Sequence, residues 1–483
     1  MVDLWHGPWV ETREGFFCDG AWSDDFGNDR IETASLMGSG GRIDGNELIV
    51  TTPSHVMERL HVLRAGDSLF ISNSIVFLLS QAGDAPHPRS LRYGLTMLGI
   101  LRGIYHHPRH VPTANGRRIR FYYYRTLRID RLLKIIEESK PIWPDFIDYA
   151  DYRGFLKSQI AAIVANAADP RRRVRYEPVA TMSSGYDSPA CSVLAREAGA
   201  RKVLTCLEGR DNGKGGGSED SGAAIAEQLG MEVQTFNRND YLQQPHFPEA
   251  EFFGSPSAAM FAALTPHLEG KLVFCGHYAD RVWDWRLRED YHGFVRKDAS
   301  GSFQEEFRLR VGWLSLFPAF LGCTSYSAIN QISKSEEMQP WSVGGTYNRP
   351  IARRILETAG VQRGTFAHQK RAIDIVPEME GGQFRWMTPE SLEDFQAFVR
   401  ENWTRGTRAR RRVLEKVRQA NLLNDRLKFS VELRLKKYLG ITAKLPNVIP
   451  RDYRFGPRGN TDELALLFQW SVDKLSPRYR FEK

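Results

Sequence analysis

Cysteine is scarce in this chain and never closely paired. Five thiols, Cys18, Cys191, Cys206, Cys275 and Cys323, lie far apart with no CxxC spacing among them. That pattern excludes a disulfide framework, offers no zinc site and fits a reduced, cytoplasmic protein. Long apolar runs are also missing: none approaches the roughly 18 residues that a membrane span needs. The opening MVDLWHGPWVETREG lacks the basic and then apolar layout of a signal peptide, so neither secretion nor membrane contact is expected. No internal repeat and no coiled-coil pattern is visible. A Walker-type mononucleotide loop is excluded too, because GRDNGKGG has neither the spacer nor the Ser or Thr after Lys that it requires.

What is present has ordinary globular composition. The 483 residues are 42% hydrophobic and 26% charged, which suits two or three domains of roughly 100–200 residues each. Lys and Arg number 66 against 58 Asp and Glu, a net charge of +8, compatible with nucleic acid, an anionic substrate or neither. The basic residues crowd at Arg171, Arg172, Arg173 and Arg175, and again from Arg405 through Arg408, Arg410, Arg411, Arg412, Lys416 and Arg418. In the second cluster Val413, Val417, Leu422 and Leu423 fall near helical spacing, so a solvated face of an amphipathic helix is expected there rather than a nucleic-acid surface.

From residue 1 to about 150 the chain reads as short β-like runs: ELIVTT at 47–52, SLFISNSIVFLL at 68–79 and RIRFYYYRTLRI at 118–129, with turns expected at GSGGR (38–42) and ANGRR (114–118). Strands then alternate with helical stretches. YEPVATM (176–182), RKVLTCL (201–207), MEVQTFN (231–237) and KLVFCGH (271–277) read as strands. Between them PACSVLAREAG, AAIAEQLG and SAAMFAALTPHLEG read as helices. This order predicts an α/β fold with a parallel sheet and right-handed crossovers, whose ligands bind at the carboxyl ends of the strands. The remainder, from about 285 to 483, is helix-rich.

The chemistry concentrates in SSGYDS, Ser183 to Ser188, between an expected strand and an expected helix. Ser183, Ser184 and Ser188 supply hydroxyl and backbone donors, Gly185 lets the backbone turn close to an anion, and the following helix aims its positive end at the same place. Such a loop can cradle phosphate. Asp187 serves there if a Mg²⁺ ion bridges it to phosphate oxygens. An ordinary Ser/Gly turn ahead of a helix is the alternative reading of these residues.

SSGYDS, the alternating strands and GHYAD at 276–280 together resemble the ATP-pyrophosphatase (PP-loop, HUP-like) synthetase domain of asparagine synthetase and its relatives, such as β-lactam synthetase and lasso-peptide cyclase, over about residues 150–375. The resemblance implies that Ser183, Ser184, Gly185, Asp187 and Ser188 grip the pyrophosphate of ATP, that Asp280 joins Asp187 on Mg²⁺, and that adenine meets backbone at Thr181 and Leu207. RPIARRILETAGVQRGTFAHQKRA at 349–372 resembles the family segment that carries a catalytic lysine, which matches Lys370. Departures are His277, where asparagine-forming enzymes carry a carboxylate, and Arg281, where an acidic residue is common. His277 could act as a base toward an amine or bind an anionic substrate, and a core histidine satisfied by backbone is an equal reading. Tyr278, Trp283 and Trp285 are expected to pack.

In that family the N-terminal domain is a glutaminase of the Ntn type whose nucleophile is a cysteine at the mature N-terminus. Here Val2 follows Met1, and Cys18 in GFFCDGAW reads as a buried small hydrophobe, so a degenerate glutaminase-like scaffold is expected. The implied organisation is 1–150 glutaminase-like, 151–375 synthetase and 376–483 a helix-rich extension. The implied activity is AMP-forming ligation: ATP and Mg²⁺ activate a small-molecule carboxylate, and ammonia or another amine forms the amide without glutamine hydrolysis. A PP-loop tRNA-modifying enzyme and an ATP-binding scaffold without turnover are the alternatives.

Overall fold

The computed structural model describes residues 1–483 except 89, 91–92, 144, 208–220, 246, 254–255, 287–292, 297–298, 346, 367–385, 403–430, 432–460 and 480–483. The strands of its first part are β1 (Glu11–Arg13), β2 (Phe16–Trp22), β3 (Leu36–Asp44), β4 (Glu47–Thr51), β5 (Leu60–Ala65), β6 (Ser68–Ser72), β7 (His110–Pro112), β8 (Arg118–Tyr122), β9 (Arg125–Ile129) and β10 (Ile135–Ser139). They form two antiparallel sheets, in the orders β1-β2-β3-β4-β9-β10 and β6-β5-β8-β7.

Three details depart from the sequence reading. GSGGR is the interior of β3, not a turn: a Cβ on Gly38 would lie 2.0 Å from the Asp19 carbonyl oxygen, and one on Gly41 would lie 2.5 Å from that of Ile49. Glycine is there because neighbouring backbones approach so closely. SLFISNSIVFLL splits, because the Ser74 hydroxyl accepts from the Phe77 N–H at 2.9 Å and caps a helix, Ile75–Gln81, that buries Ile75, Val76, Leu78 and Leu79. RIRFYYYRTLRI is two strands in different sheets, divided at Tyr124 with its left-handed φ of 52°.

The second part holds β11 (Glu177–Met182), β12 (Lys202–Cys206), β13 (Glu232–Phe236), β14 (Lys271–Phe274) and β15 (Leu314–Leu316), all parallel in the order β13-β12-β11-β14-β15. This is the expected α/β sheet with one added edge strand, β15, too short to register as a pattern. Helices Asp187–Glu197 and Ala223–Gln228 follow β11 and β12 as read. SAAMFAALTPHLEG does not make a long α-helix: Pro256–Ala259 is a single turn, and Met260–His267 winds as a 3₁₀ helix with Pro266 inside it.

Buried charge joins the sheets. Arg172, in the first basic cluster, donates to Asn166 Oδ1 at 2.9 Å and to the Gly20 carbonyl at 2.8 Å, tying β2 to the helix Tyr149–Ala167. Arg171 pairs with Asp169 and Asp25, and Arg173 reaches the Val10 carbonyl at 2.5 Å. Of this first cluster Arg172 alone is buried, and Arg171, Arg173 and Arg175 stay exposed at the surface. Arg308 bridges Asp19 (2.7 Å) and Glu58 (3.1 Å), all three buried. The C-terminal helix Thr461–Leu475 returns to the first part of the chain, where Phe468 stacks on Tyr93 at 4.6 Å. Cys18 is fully buried with its thiol pushed up to about 12 by desolvation, as a small hydrophobe should be. Among the described residues no helix is long and apolar enough to cross a membrane.

One buried cation has a measurable signature. Lys140 is 3% exposed, donates to Thr51 Oγ1 at 2.9 Å, and burial pulls its ammonium down to about 7 from an ordinary 10.5. Between those values the unfolded chain binds one proton more than the folded one, so this group makes stability rise with pH, by about 1 kcal/mol per unit. Urea midpoints should therefore climb from pH 7 to pH 9 more steeply in the unsubstituted protein than in Lys140→Met. Parallel profiles would refute the assignment.

Candidate functional site

The order of the parallel sheet reverses between β11 and β14, so the chain leaves these adjacent strands toward opposite sides and opens a crevice at their carboxyl ends. SSGYDS leaves β11 there, and GHYAD leaves β14 beside it. The serines do not simply point outward. The Ser183 N–H donates to Ser188 Oγ at 3.0 Å, and the two hydroxyls meet at 2.8 Å, pinching the loop at its base. The Ser192 hydroxyl lies 2.9 Å from the Ser188 carbonyl and 3.2 Å from that of Thr181. Thr181 donates to the Phe274 carbonyl at 3.1 Å, coupling β11 to β14. The helix begins at Asp187, and Tyr186 at its N-cap supplies no side-chain cap. Its partial positive charge thus faces the crevice.

Gly276 makes the approach possible. A Cβ on it would lie 2.5 Å from the Ser188 nitrogen and 2.7 Å from the Asp187 carbonyl carbon. Two residues on, Tyr278 takes a left-handed φ of 71° and starts the short helix Ala279–Val282 that carries Asp280. Tyr278 stacks on Phe320 at 4.4 Å, and buried Trp283 donates to Tyr152 Oη at 3.0 Å, packing roles as expected. His277 lies among aromatic side chains, 5.7 Å from Phe317 and 6.5 Å from Phe261 between ring centres, with Gly301 against its Nε2. Cys275 is buried and its thiol is pushed up to about 12 by desolvation, so it offers no nucleophile at neutral pH.

The residue that sequence reasoning missed is Arg349. Its guanidinium forms an ion pair with Asp187 and lies 5.2 Å from the Tyr347 ring centre. Burial opposes its charge, but Asp187, then Tyr347 and Asp280, hold it above its ordinary range. Asp284 also feels Arg349, although its own ion pair is with Arg286 at 2.8 Å. Arg353, one turn along the helix Pro350–Thr358, donates to Tyr186 Oη at 2.6 Å and pairs with Glu357 at 2.9 Å. In the sequence Arg349 is only an arginine before a proline, and nothing local says that it folds back on SSGYDS.

The structure therefore brings together Thr181 at the end of β11, Ser183, Ser184 and Gly185 in the loop after it, and Asp187 and Ser188 at the start of the helix, with Arg349 paired to Asp187 and within the field of Asp280. Leu207 follows β12, its N–H bonded to the Phe236 carbonyl at 3.1 Å and its side chain exposed. Lys370 lies outside the described residues, as do Arg405 to Arg418 and most of GRDNGKGGGSEDSG. Asp187 and Asp280 carry carboxylate oxygens, the donor type that a hard divalent ion takes, on separate segments, and Arg349 feels the charge of both.

The close approach has a direct test. Gly276→Ala should destabilise the fold by about 1–3 kcal/mol, since backbone atoms must shift to admit the methyl group. Gly154→Ala, on an open helix face with nothing within 4 Å, should be neutral or stabilising. Equal thermal midpoints for the two variants would contradict this packing.

No family model matches the chain, and no curated protein does either. Among solved structures it is similar to glutamine-dependent NAD+ synthetase from Acinetobacter baumannii in complex with adenosine diphosphate, at 13% identity over 70% of this chain and 69% of that one. The TM-score is 0.21. So low a score carries no argument, and the parallel sheet and its site stand on their own geometry.

Proposed function

We propose that the chain is an ATP-dependent, AMP-forming carbon–nitrogen ligase of the asparagine synthetase-like type. The observation that supports this reading most is the meeting of SSGYDS, at the start of an 11-residue helix, with Asp280 across the point where strand order reverses. Ser183, Ser184, Gly185 and Ser188 hold the pyrophosphate end of ATP against the helix N-terminus, and backbone at Thr181 and Leu207 meets adenine. Asp187 and Asp280 would hold Mg²⁺, which when bound offsets charge on the phosphates. A substrate carboxylate attacks the α-phosphorus and pyrophosphate leaves, after which ammonia or another amine attacks the acyl carbon, loses its proton and releases AMP. Lys370 stabilises the charge that develops on the phosphate, and His277 faces the acid or receives the amine proton. Holding both reactants in one crevice supplies proximity.

The division at about 150 and 375 belongs to the same reading, with residues 1–150 a degenerate glutaminase-like scaffold. Nitrogen then comes from ammonia or an amine rather than from glutamine, and the setting is the cytoplasm.

A mass-spectrometric screen for AMP across carboxylic acids and amines tests the activity, supported by exchange of labelled pyrophosphate into ATP. A correct substrate should give both signals, and Asp280→Asn should lower turnover about 100-fold without moving the thermal midpoint. Full activity in Asp280→Asn refutes the assigned role. Tight ATP binding with no AMP from any acid favours the scaffold reading instead.

A further inference from the structure

Asp187 is assigned above to a metal, yet its partner in the structure is Arg349. The pairing is not an incidental surface contact. The Arg349 side chain is 5% exposed, lies against Tyr347 and feels the charge of Asp280 as well. Its neighbour Arg353 is held by Tyr186 and Glu357, and Asp284 by Arg286, whereas Arg349 pairs with the loop carboxylate.

A carboxylate oxygen engaged by a guanidinium is not at the same moment a good ligand for Mg²⁺, which demands near-octahedral geometry and dehydrates reluctantly. Two cations on one aspartate also repel each other. Guanidinium, however, binds phosphate as well as carboxylate, in both cases through its planar fork of donors. Resting on the nucleotide reading above, we infer that Arg349 is an exchangeable counter-charge. Asp187 pairs either with Arg349 or with the divalent ion, and the triphosphate that accompanies the ion gives the guanidinium its second partner. The arginine therefore opposes binding of the bare metal and favours binding of the metal together with nucleotide. That coupling makes the crevice select Mg·ATP over free Mg²⁺.

The test measures Mn²⁺ alone, by its electron paramagnetic resonance signal, and Mg·ATP, by calorimetry, on the full chain. Arg349→Met should bind Mn²⁺ about tenfold more tightly and Mg·ATP about tenfold more weakly, the two changes having opposite sign. Arg349→Lys keeps the charge and loses the fork, so it should leave Mn²⁺ affinity near that of the unsubstituted protein and weaken Mg·ATP. Because Arg349→Met strands a half-buried carboxylate, the double variant Asp187→Asn with Arg349→Met is the control for folding, and it should lose the gain in Mn²⁺ affinity. Affinities for both ligands falling together, or neither moving, overturns the exchange while leaving the nucleotide reading intact. Failure of the unsubstituted protein to bind Mg·ATP overturns the nucleotide reading and the exchange with it.

Discussion

The site rests on one close approach, that of Gly276 to the backbone of Asp187 and Ser188. β11 and β14 run side by side with Ala180 level with Phe274, so the loops that leave them start within a residue or two of the same height. Their flanks are well packed: Val179, Ala180, Leu272, Val273 and Phe274 are all buried. A densely packed sheet does not move apart to admit an extra side chain, so any strain there falls on the loops. Glycine at 276 lets the start of one helix and the turn carrying Asp280 occupy the same small volume. The Ser183–Ser188 hydroxyl pair then holds the first loop to its strand.

Charge is the second theme, and it runs inward. Arg172, Arg308, Arg349 and Arg353 are buried, each with a carboxylate, carbonyl or hydroxyl partner on another segment. Such pairs are poor sources of net stability, because desolvation offsets much of the attraction, yet breaking one leaves an uncompensated charge. Their effect is to define geometry. Arg308 joins Asp19 on β2 to the segment ahead of β15, and Arg349 joins the segment ahead of its helix to the loop after β11. Part of the positive excess in the composition is thus consumed as internal wiring rather than displayed to a partner.

Local pattern determined a good deal. The alternation of strand and helix after residue 176 and the helix over PACSVLAREAG, which the structure starts two residues earlier at Asp187, are visible in spacing and residue type, because hydrophobic period and turn residues are local properties. Where local signals conflicted, tertiary contact decided. The glycines of β3 look like a turn until the neighbouring strands are seen, and Ser74 converts the end of a β-like run into a helix. Residues 118–129 read as one strand, although Tyr124 sends its halves to different sheets.

The tertiary structure alone decided which residues meet at the crevice. Asp187 and Arg349 are far apart in sequence, and no periodicity relates an arginine before Pro350 to a loop after β11. Their pairing follows from strand order, which places β14 rather than β12 on the side where the sheet reverses, and from the packing of Tyr347 and Arg353 against Tyr186. Sequence by itself located the serines, glycine and aspartates of SSGYDS and GHYAD. Only the fold showed that a buried guanidinium already stands among them, because the field at a site is the sum of charges drawn from segments that the chain brings together last.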